Sequence, residues 1–262
     1  MTQLHIDPAQ NPQLMVAMVP GQQAGDAPAS STCARCPART AALCAVLDEE
    51  CRTRFAGMAR RTSVAKGQRL MWEGDSSMLV ANVVEGTMKL SISTADGREQ
   101  IVGVAYAADF IGRPFGPTSP HNVTALTDTI LCVFPRARFD AFARENPALE
   151  HGLLHRALDE LDRTRAWMLL LGRKSAREKI ATFLLEMSQR LAPGAAGKER
   201  RPLDRFTLPL DRQQVADVLG TTIETVSRQM TDLKRAGIIA LPDRRSIHIL
   251  DRAALEDMAE PA

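Results

Sequence analysis

The residues best suited to chemistry in this chain are its cysteines and one short run of polar side chains near the C-terminus. Cys33, Cys36, Cys44 and Cys51 lie close together, and Cys132 stands alone far downstream. Cys33-x-x-Cys36 lets two thiolates reach one metal centre from a single turn of loop, and Pro37 keeps that loop from continuing as a helix. Thiolate-only sites choose between zinc and iron–sulfur clusters. A structural zinc site usually pairs two close couples, whereas the later spacings here are seven and six intervening residues. Taken alone, Cys132 reads as a small buried strand residue.

The second group is Glu224, Ser227 and Arg228. Glu224 and Arg228 are four apart and so share one helical face, with Ser227 beside them. Arg can make a bidentate contact with guanine, Glu can accept from the cytosine amino group, and Ser can serve several bases. The competing roles are a Thr221-x-x-Glu224 capping box for Glu224 and a surface ion pair with Glu224 or Asp232 for Arg228. Thr222, Lys234, Arg244 and Arg245 are candidates for the DNA backbone, which positions a protein without reading sequence.

These side chains need a scaffold, and Leu210 to Ile239 supplies one. A first helix over Asp211 to Leu219 turns Val215, Val218 and Leu219 inward, with small Ala216 permitting close helix contact. Gly220 is placed for a tight left-handed turn. A second helix from Thr221 or Thr222 is expected to bury Ile223, Val226, Met230 and Leu233, leaving Glu224, Thr225, Ser227, Arg228 and Thr231 outside. This is the pattern of a helix-turn-helix. Ile238 to Leu241 and Ser246 to Leu250, around Pro242-Asp243-Arg244-Arg245, form the hairpin of a wing.

Upstream, Ser175-Ala176-Arg177-Glu178 is a capping box opening a helix with Ile180, Phe183, Leu184, Met187 and Leu191 on one face. A short helix is expected from Arg136 to Glu145, and a long one from Ala148 to Leu171. In the long helix Leu154, Leu158, Leu161, Arg165 and Met168 alternate at spacings of four and three, a two-helix seam interrupted by Arg165. The alternative is a helix lying on its own sheet. From Thr62 to Pro135 short apolar stretches alternate with glycine turns, as in a small antiparallel barrel or roll, and Asp96-Gly97 marks a hairpin. A short helix is expected over Asp48 to Arg60.

The fold class is therefore α+β: an N-terminal antiparallel β-roll, a long dimerisation helix and a C-terminal winged helix-turn-helix. Residues 1–32 are read as a flexible tail, 33–147 as cysteine loop and roll, 148–172 as the dimerisation helix and 173–262 as the DNA-binding domain. At 4% aromatic, the core is expected to rest on Leu, Val, Ile, Ala and Met. A net charge of +2 requires any attraction to nucleic acid to be local. No apolar run approaches a membrane span and no secretory signal is evident, so a cytoplasmic address and free or metal-bound thiols are expected. The five histidines are scattered and no His/Glu/Ser constellation supports catalysis, so an enzyme is not expected.

Together these residues resemble the CRP/FNR family of bacterial transcription regulators from about residue 33 to 250, closer to the FNR and FnrL-type oxygen sensors than to CRP. Lys66-Gly67-Gln68-Arg69-Leu70, Glu73-Gly74-Asp75 and Ala108-Asp109-Phe110-Ile111-Gly112 look like the family's β-roll, which in CRP binds cyclic nucleotide. Ile223-Glu224-Thr225-Val226-Ser227-Arg228 resembles the FNR recognition helix, which implies reading of palindromic TTGAT-type half-sites on double-stranded DNA by a homodimer, with RNA polymerase as a further partner. The resemblance also implies a [4Fe-4S] cluster held by Cys33, Cys36, Cys44 and Cys132. The seven-residue gap before Cys44 matches the FnrL branch, leaving Cys51 as the non-ligand. An intact cluster would favour dimer packing, and oxygen would destroy it and release DNA. The cAMP phosphate pocket of CRP is not matched: Gly112-Arg113-Pro114-Phe115 and Pro120-His121-Asn122-Val123 replace its Gly-Glu-Leu turn and Arg-Ser pair, so no cAMP binding is expected. A thiol switch or haem-based gating remains the alternative within the family.

Overall fold

The computed structural model describes residue 33, residues 35–192 and residues 201–260. The expected tail over residues 1–32 lies outside the described residues, as does most of the polar stretch between Pro193 and Arg205. A 3-10 turn at Leu43–Val46 leads into helix α1, Glu49–Gly57, capped by the Asp48 carboxylate, which accepts from the Cys51 N–H. Eight strands follow: β1 Arg60–Val64, β2 Arg69–Met71, β3 Leu79–Glu85, β4 Met88–Ser93, β5 Glu99–Ala105, β6 Phe110–Ile111, β7 Asn122–Ala125 and β8 Thr129–Pro135. They form two antiparallel four-stranded sheets, ordered β1-β8-β3-β6 and β2-β7-β4-β5. The inward residues of both, among them Val64, Leu79, Ala81, Val83, Met88, Val123 and Leu131, fill the roll. The Asp96-Gly97 hairpin joins β4 to β5 as its sequence requires, with Ser93 opposite Glu99.

Helix α2 (Arg136–Glu145) and helix α3 (Pro147–Arg173) come next, with Pro147 at the first turn of α3, where a missing N–H costs nothing. The outer face of the β3/β8 sheet meets α1 and α2 through a second core. Its fully buried side chains include Phe55, Phe134 and Phe139, and the Phe55 and Phe134 rings lie 4.3 Å apart. The expectation of an aliphatic core therefore holds inside the roll and fails here. Five of the eight phenylalanines, Phe55, Phe110, Phe134, Phe139 and Phe142, gather here, with Cys44, Cys51 and Cys132 packed against them.

Helix α4 (Ala176–Arg190) begins at the Ser175–Glu178 capping box. Strand β9 (Arg205–Thr207) precedes α5 (Arg212–Leu219) and α6 (Ile223–Arg235), followed by β10 (Ile239–Ala240), β11 (Ser246–Ile249) and α7 (Arg252–Ala259). The wing is three-stranded, ordered β10-β11-β9. Strand β9 and helix α7 went unrecognised in the sequence. β9 is only three residues long and is defined by its partner β11, which no local pattern announces.

The C-terminal domain does not hang free of the roll. Ile101, Tyr106 and Leu126 of the roll share one core with Ile180, Phe183, Leu184, Val215 and Leu219. The Gln100 side-chain amide also donates to the Val218 carbonyl at 3.2 Å.

Candidate cysteine site and DNA-reading helix

The cysteine loop is a chain of tight turns. Cys36 N–H donates to the Cys33 carbonyl at 3.2 Å, Arg39 N–H to Cys36 at 3.0 Å and Ala42 N–H to Ala38 at 2.7 Å. Its apolar anchor has two parts: Ala38, Ala41 and Ala42 pack against Ala108 of the roll, with Cys36 and Cys44 at the edge, and Leu43 and Leu47 enter the aromatic core. Arginines bind its end. Arg52 donates through Nε to the Cys44 carbonyl at 3.2 Å and through its guanidinium to the Leu47 carbonyl, while Glu49 bridges Arg39 and Arg52 at 2.7 and 2.9 Å.

Cys132 sits in the central strand β8, cross-strand from Arg61 on one side and Asn82 on the other. Burial, and then the neighbouring charges of Cys33, Cys44 and Cys36, push its thiol up to about 12. Burial likewise raises Cys44, followed by Cys36 and Cys33, and it raises Cys33, followed by Cys36. These four thiols thus lie within electrostatic reach of one another. Cys51 belongs elsewhere. Its thiol donates to Asn146 Oδ1 at 3.2 Å, and after burial the main influence raising it is Asp48, not another cysteine.

Among the described residues, no group of three or more His, Cys, Asp or Glu side chains closes on a single-ion site. A four-iron cluster is a larger body, and its thiolates stand farther apart than those around one ion. One buried polar atom fits the same reading. Asn82 is 2% exposed, its Oδ1 has no hydrogen-bond partner, and its cross-strand position places it beside Cys132. An orphaned buried amide is costly unless something at the site satisfies it. Asn82, Arg52 and Arg61 were missed in the sequence. The one available signal was an Asn inside the apolar run Leu79-Val80-Ala81-Asn82-Val83-Val84.

The reading helix α6 is complete by itself. Asp211 and Gln214 form a capping box at the start of α5, and Gly220 ends that helix at φ 58°, the left-handed turn that favours glycine. Thr222 caps α6 by accepting from the Thr225 N–H at 3.3 Å, so its hydroxyl already has a structural partner. The Thr221–Glu224 capping box does not form. The Glu224 carboxyl is instead held below the ordinary range by its own backbone N–H and the Thr222 hydroxyl. Val226, Met230 and Leu233 are buried. Ile223, expected inside, is 37% exposed. At the first helical residue after the cap the side chain lies at the rim of the contact, not within it. Glu224, Ser227 and Arg228 are exposed together, and among the described residues Arg228 makes no ion pair with Glu224 or Asp232, Asp232 pairing with Arg235 at 3.8 Å. Lys234 and Arg244 are exposed, while Arg245 is partly covered, 3.9 Å from Asp211. Asp243 shapes the wing tip by accepting from the Arg245 and Ser246 N–H groups, each at 2.7 Å.

The long helix α3 has two faces. Leu149, Gly152 and Leu170 are buried against the chain's own body, with Arg156 and Trp167 half-buried on the same side. Leu154, Leu158, Leu161 and Met168 lie 55, 49, 43 and 69% exposed. Arg165 is exposed on that face and pairs with Asp162 at 3.1 Å. The expected packing on the sheet is not what forms: one face of this helix lies on the Leu43–Val46 turn and on α2, and the 4-3 face is uncovered. Among the described residues no helix is long and apolar enough to cross a membrane.

In the roll, Gly112 takes a φ of 97°, and a Cβ there would sit 2.9 Å from the Leu79 carbonyl oxygen. Arg113 folds back beside Gly116, and the next amide, Phe115 N–H, donates to Asp140 Oδ1 at 3.1 Å. Ser119 donates to the His121 carbonyl at 2.8 Å.

Comparison with known proteins agrees with this architecture. The cyclic nucleotide-binding domain family matches residues 61–146, and the Crp-like helix-turn-helix domain family matches residues 178–258. The transcriptional activator protein FnrL of Cereibacter sphaeroides is 43% identical over 87% of this chain and 91% of its own length. The nitrogen fixation regulation protein FixK of Bradyrhizobium diazoefficiens is 38% identical over 87% of this chain and 93% of its own. Among solved structures, FixK2 from Bradyrhizobium japonicum superposes with a TM-score of 0.70 at 31% identity, covering 78% of this chain and 98% of that one. These relatives are regulators, not enzymes. The chain belongs to the CRP/FNR family of transcription regulators and is a DNA-binding regulator of the FNR/FixK type.

Proposed function

We propose that this protein is an oxygen-responsive transcription activator that binds palindromic TTGAT-type DNA as a homodimer in the cytoplasm and engages RNA polymerase there, with a [4Fe-4S] cluster held by Cys33, Cys36, Cys44 and Cys132 and without cyclic nucleotide. The observation that carries the reading is the grouping of thiols: four of the five share one electrostatic neighbourhood, and Cys51 is hydrogen-bonded outside it. The match to FnrL, an activator by name, supports the same reading. When bound, the cluster supplies an oxygen-labile link between loop and roll. The chain's own residues do the rest. Arg52 and Arg61 lower the charge burden of neighbouring thiolates, and Asn82 offers a polar group in an otherwise apolar wall. Leu154, Leu158, Leu161 and Met168 are the surface for a second copy, whose two-fold axis sets two α6 helices on successive turns of one DNA face. Glu224, Ser227 and Arg228 read bases, and Lys234 and Arg244 hold phosphate.

The test is purification without oxygen, followed by an absorption spectrum with iron and acid-labile sulfide assays. Near-equimolar iron and sulfide with a broad visible band supports the reading. Zinc in place of iron, or no metal, overturns it in favour of a thiol switch.

A further inference from the structure

One four-residue turn of the roll touches both the cysteine loop and the DNA-binding domain. In the turn Tyr106–Asp109, Asp109 N–H donates to the Tyr106 carbonyl at 3.0 Å, and Tyr106 N–H donates to Asp109 Oδ2 at 2.9 Å. The turn is fixed to β3, where Ala108 N–H donates to the Val83 carbonyl at 2.8 Å and Val83 N–H to the Asp109 carbonyl at 2.9 Å. Ala108 stands at φ 75°, a conformation that a β-carbon resists and that only firm surroundings maintain.

On one side of this turn, Ala108 packs into the alanines of the cysteine loop. Arg156 of the long helix bridges the two, donating to the Ala108 carbonyl at 3.1 Å and to the Ala41 carbonyl at 2.5 Å. On the other side, the Asp109 carboxylate accepts from Arg190 of α4 at 2.6 Å. The Arg190 guanidinium also lies 4.7 Å from the centre of the Tyr106 ring, and the Tyr106 hydroxyl donates to Met187 Sδ at 3.1 Å. Three segments remote in sequence thus meet within four residues.

We propose that the Tyr106–Asp109 turn is the junction through which the cysteine loop and the DNA-binding domain of one chain sense each other. Arg156 is the positioning residue that clamps the loop to the turn, and the Asp109–Arg190 pair clamps the turn to the domain. This route runs inside a single chain and is separate from the uncovered face of the long helix. It rests on the proposed function only in taking the cysteine loop as the sensing element.

Thiol accessibility in the metal-free, full-length protein tests it. Alkylation by iodoacetamide is followed at each cysteine by peptide mass spectrometry, with circular dichroism confirming the fold of each variant. Arg156→Gln should speed alkylation of Cys36 and Cys44 about tenfold, because the loop loses hydrogen bonds from a charged donor. Arg190→Gln, whose substitution lies in the DNA-binding domain, should speed the same two cysteines several-fold and leave Cys51 at its wild-type rate. Arg190→Lys, which keeps a cation facing the Asp109 carboxylate, should hold the rates near wild type. Unchanged Cys36 and Cys44 rates in Arg190→Gln overturn the proposal. Equal acceleration of Cys51 also overturns it, since that reports general loosening. An iron-free wild-type protein would overturn the cluster and leave this outcome standing.

Discussion

The reading helix carries its own hydrogen bonds and its own core: Thr222 caps it, the Asp211–Gln214 box and Gly220 fix the helix before it, and Val226, Met230 and Leu233 lock it from beneath. The cysteine loop has its own turns but borrows the rest of its support from other elements. Small alanines and two buried leucines anchor it, arginines from other elements hold its carbonyls, and burial and neighbouring thiols raise Cys33 and Cys44. A buried amide oxygen beside Cys132 lacks a partner. The difference matches the proposed division of roles, a rigid output helix and an adjustable input loop. Under the proposed function the loop's stability would depend on what the thiols bind, so its state could vary while the helix stays folded.

The sharpest way to break this contrast is at the thiols. Cys36→Ser, Cys44→Ser and Cys132→Ser should each lose essentially all bound iron in an anaerobic iron assay, because each removes one of four ligands. Cys51→Ser should keep it, since that thiol is engaged with Asn146. Iron retained in Cys44→Ser and lost in Cys51→Ser would move the third ligand.

A second substitution asks whether the uncovered face of the long helix connects input to output. Leu161→Glu removes an apolar contact on both sides of a two-fold seam. At about 1.5 kcal/mol per side chain this weakens dimerisation roughly a hundredfold, measurable by sedimentation. Arg165→Leu acts in the opposite direction, since it replaces an exposed charge on that face.

On the output side, Arg228→Ala should cost roughly 1–3 kcal/mol on a half-site containing its G·C pair and relax preference there, with iron content unchanged. Titrations at fixed salt against the swapped pair measure this. An equal loss on both DNAs would make Arg228 a phosphate contact.

The smallest effect concerns Glu186, on the helix that joins the two regions. Burial, opposed by Arg190 and by the Trp167 hydrogen bond, holds its carboxyl above the ordinary range. The folded chain therefore binds this proton more tightly than the unfolded chain, and stability falls as pH rises through the usual carboxylate range. Glu186→Gln removes that loss. Its melting temperature should match wild type below this range and exceed it by a few degrees at neutral pH. An advantage that grows toward acid would reverse the sign.

How much could be seen in advance follows the same division. The helix-turn-helix depends on contacts between near neighbours, so its caps, its glycine and its apolar spacing were legible, and only Ile223 at the helix start was misplaced. The long helix was legible as a pattern, although one chain shows its 4-3 face uncovered and cannot show the partner. The cysteine site is assembled from a loop, three strands and two helices. Cys132 alone gives no local sign of its neighbours, and family resemblance singled it out. Asn82, Arg156 and the Tyr106–Asp109 turn act through contacts that join residues dozens of positions apart. No periodicity encodes such contacts. Strand β9 was invisible for the same reason, being defined by β11.

The central claim is that the cysteine loop governs a helix that is already built. DNA affinity of one anaerobic preparation, measured on a TTGAT palindrome at fixed salt before and after exposure to air, tests it most directly. The account predicts tight binding before exposure and at least tenfold weaker binding afterwards, with far-ultraviolet dichroism unchanged. Equal affinity in both states, from protein that demonstrably lost its iron, would contradict it.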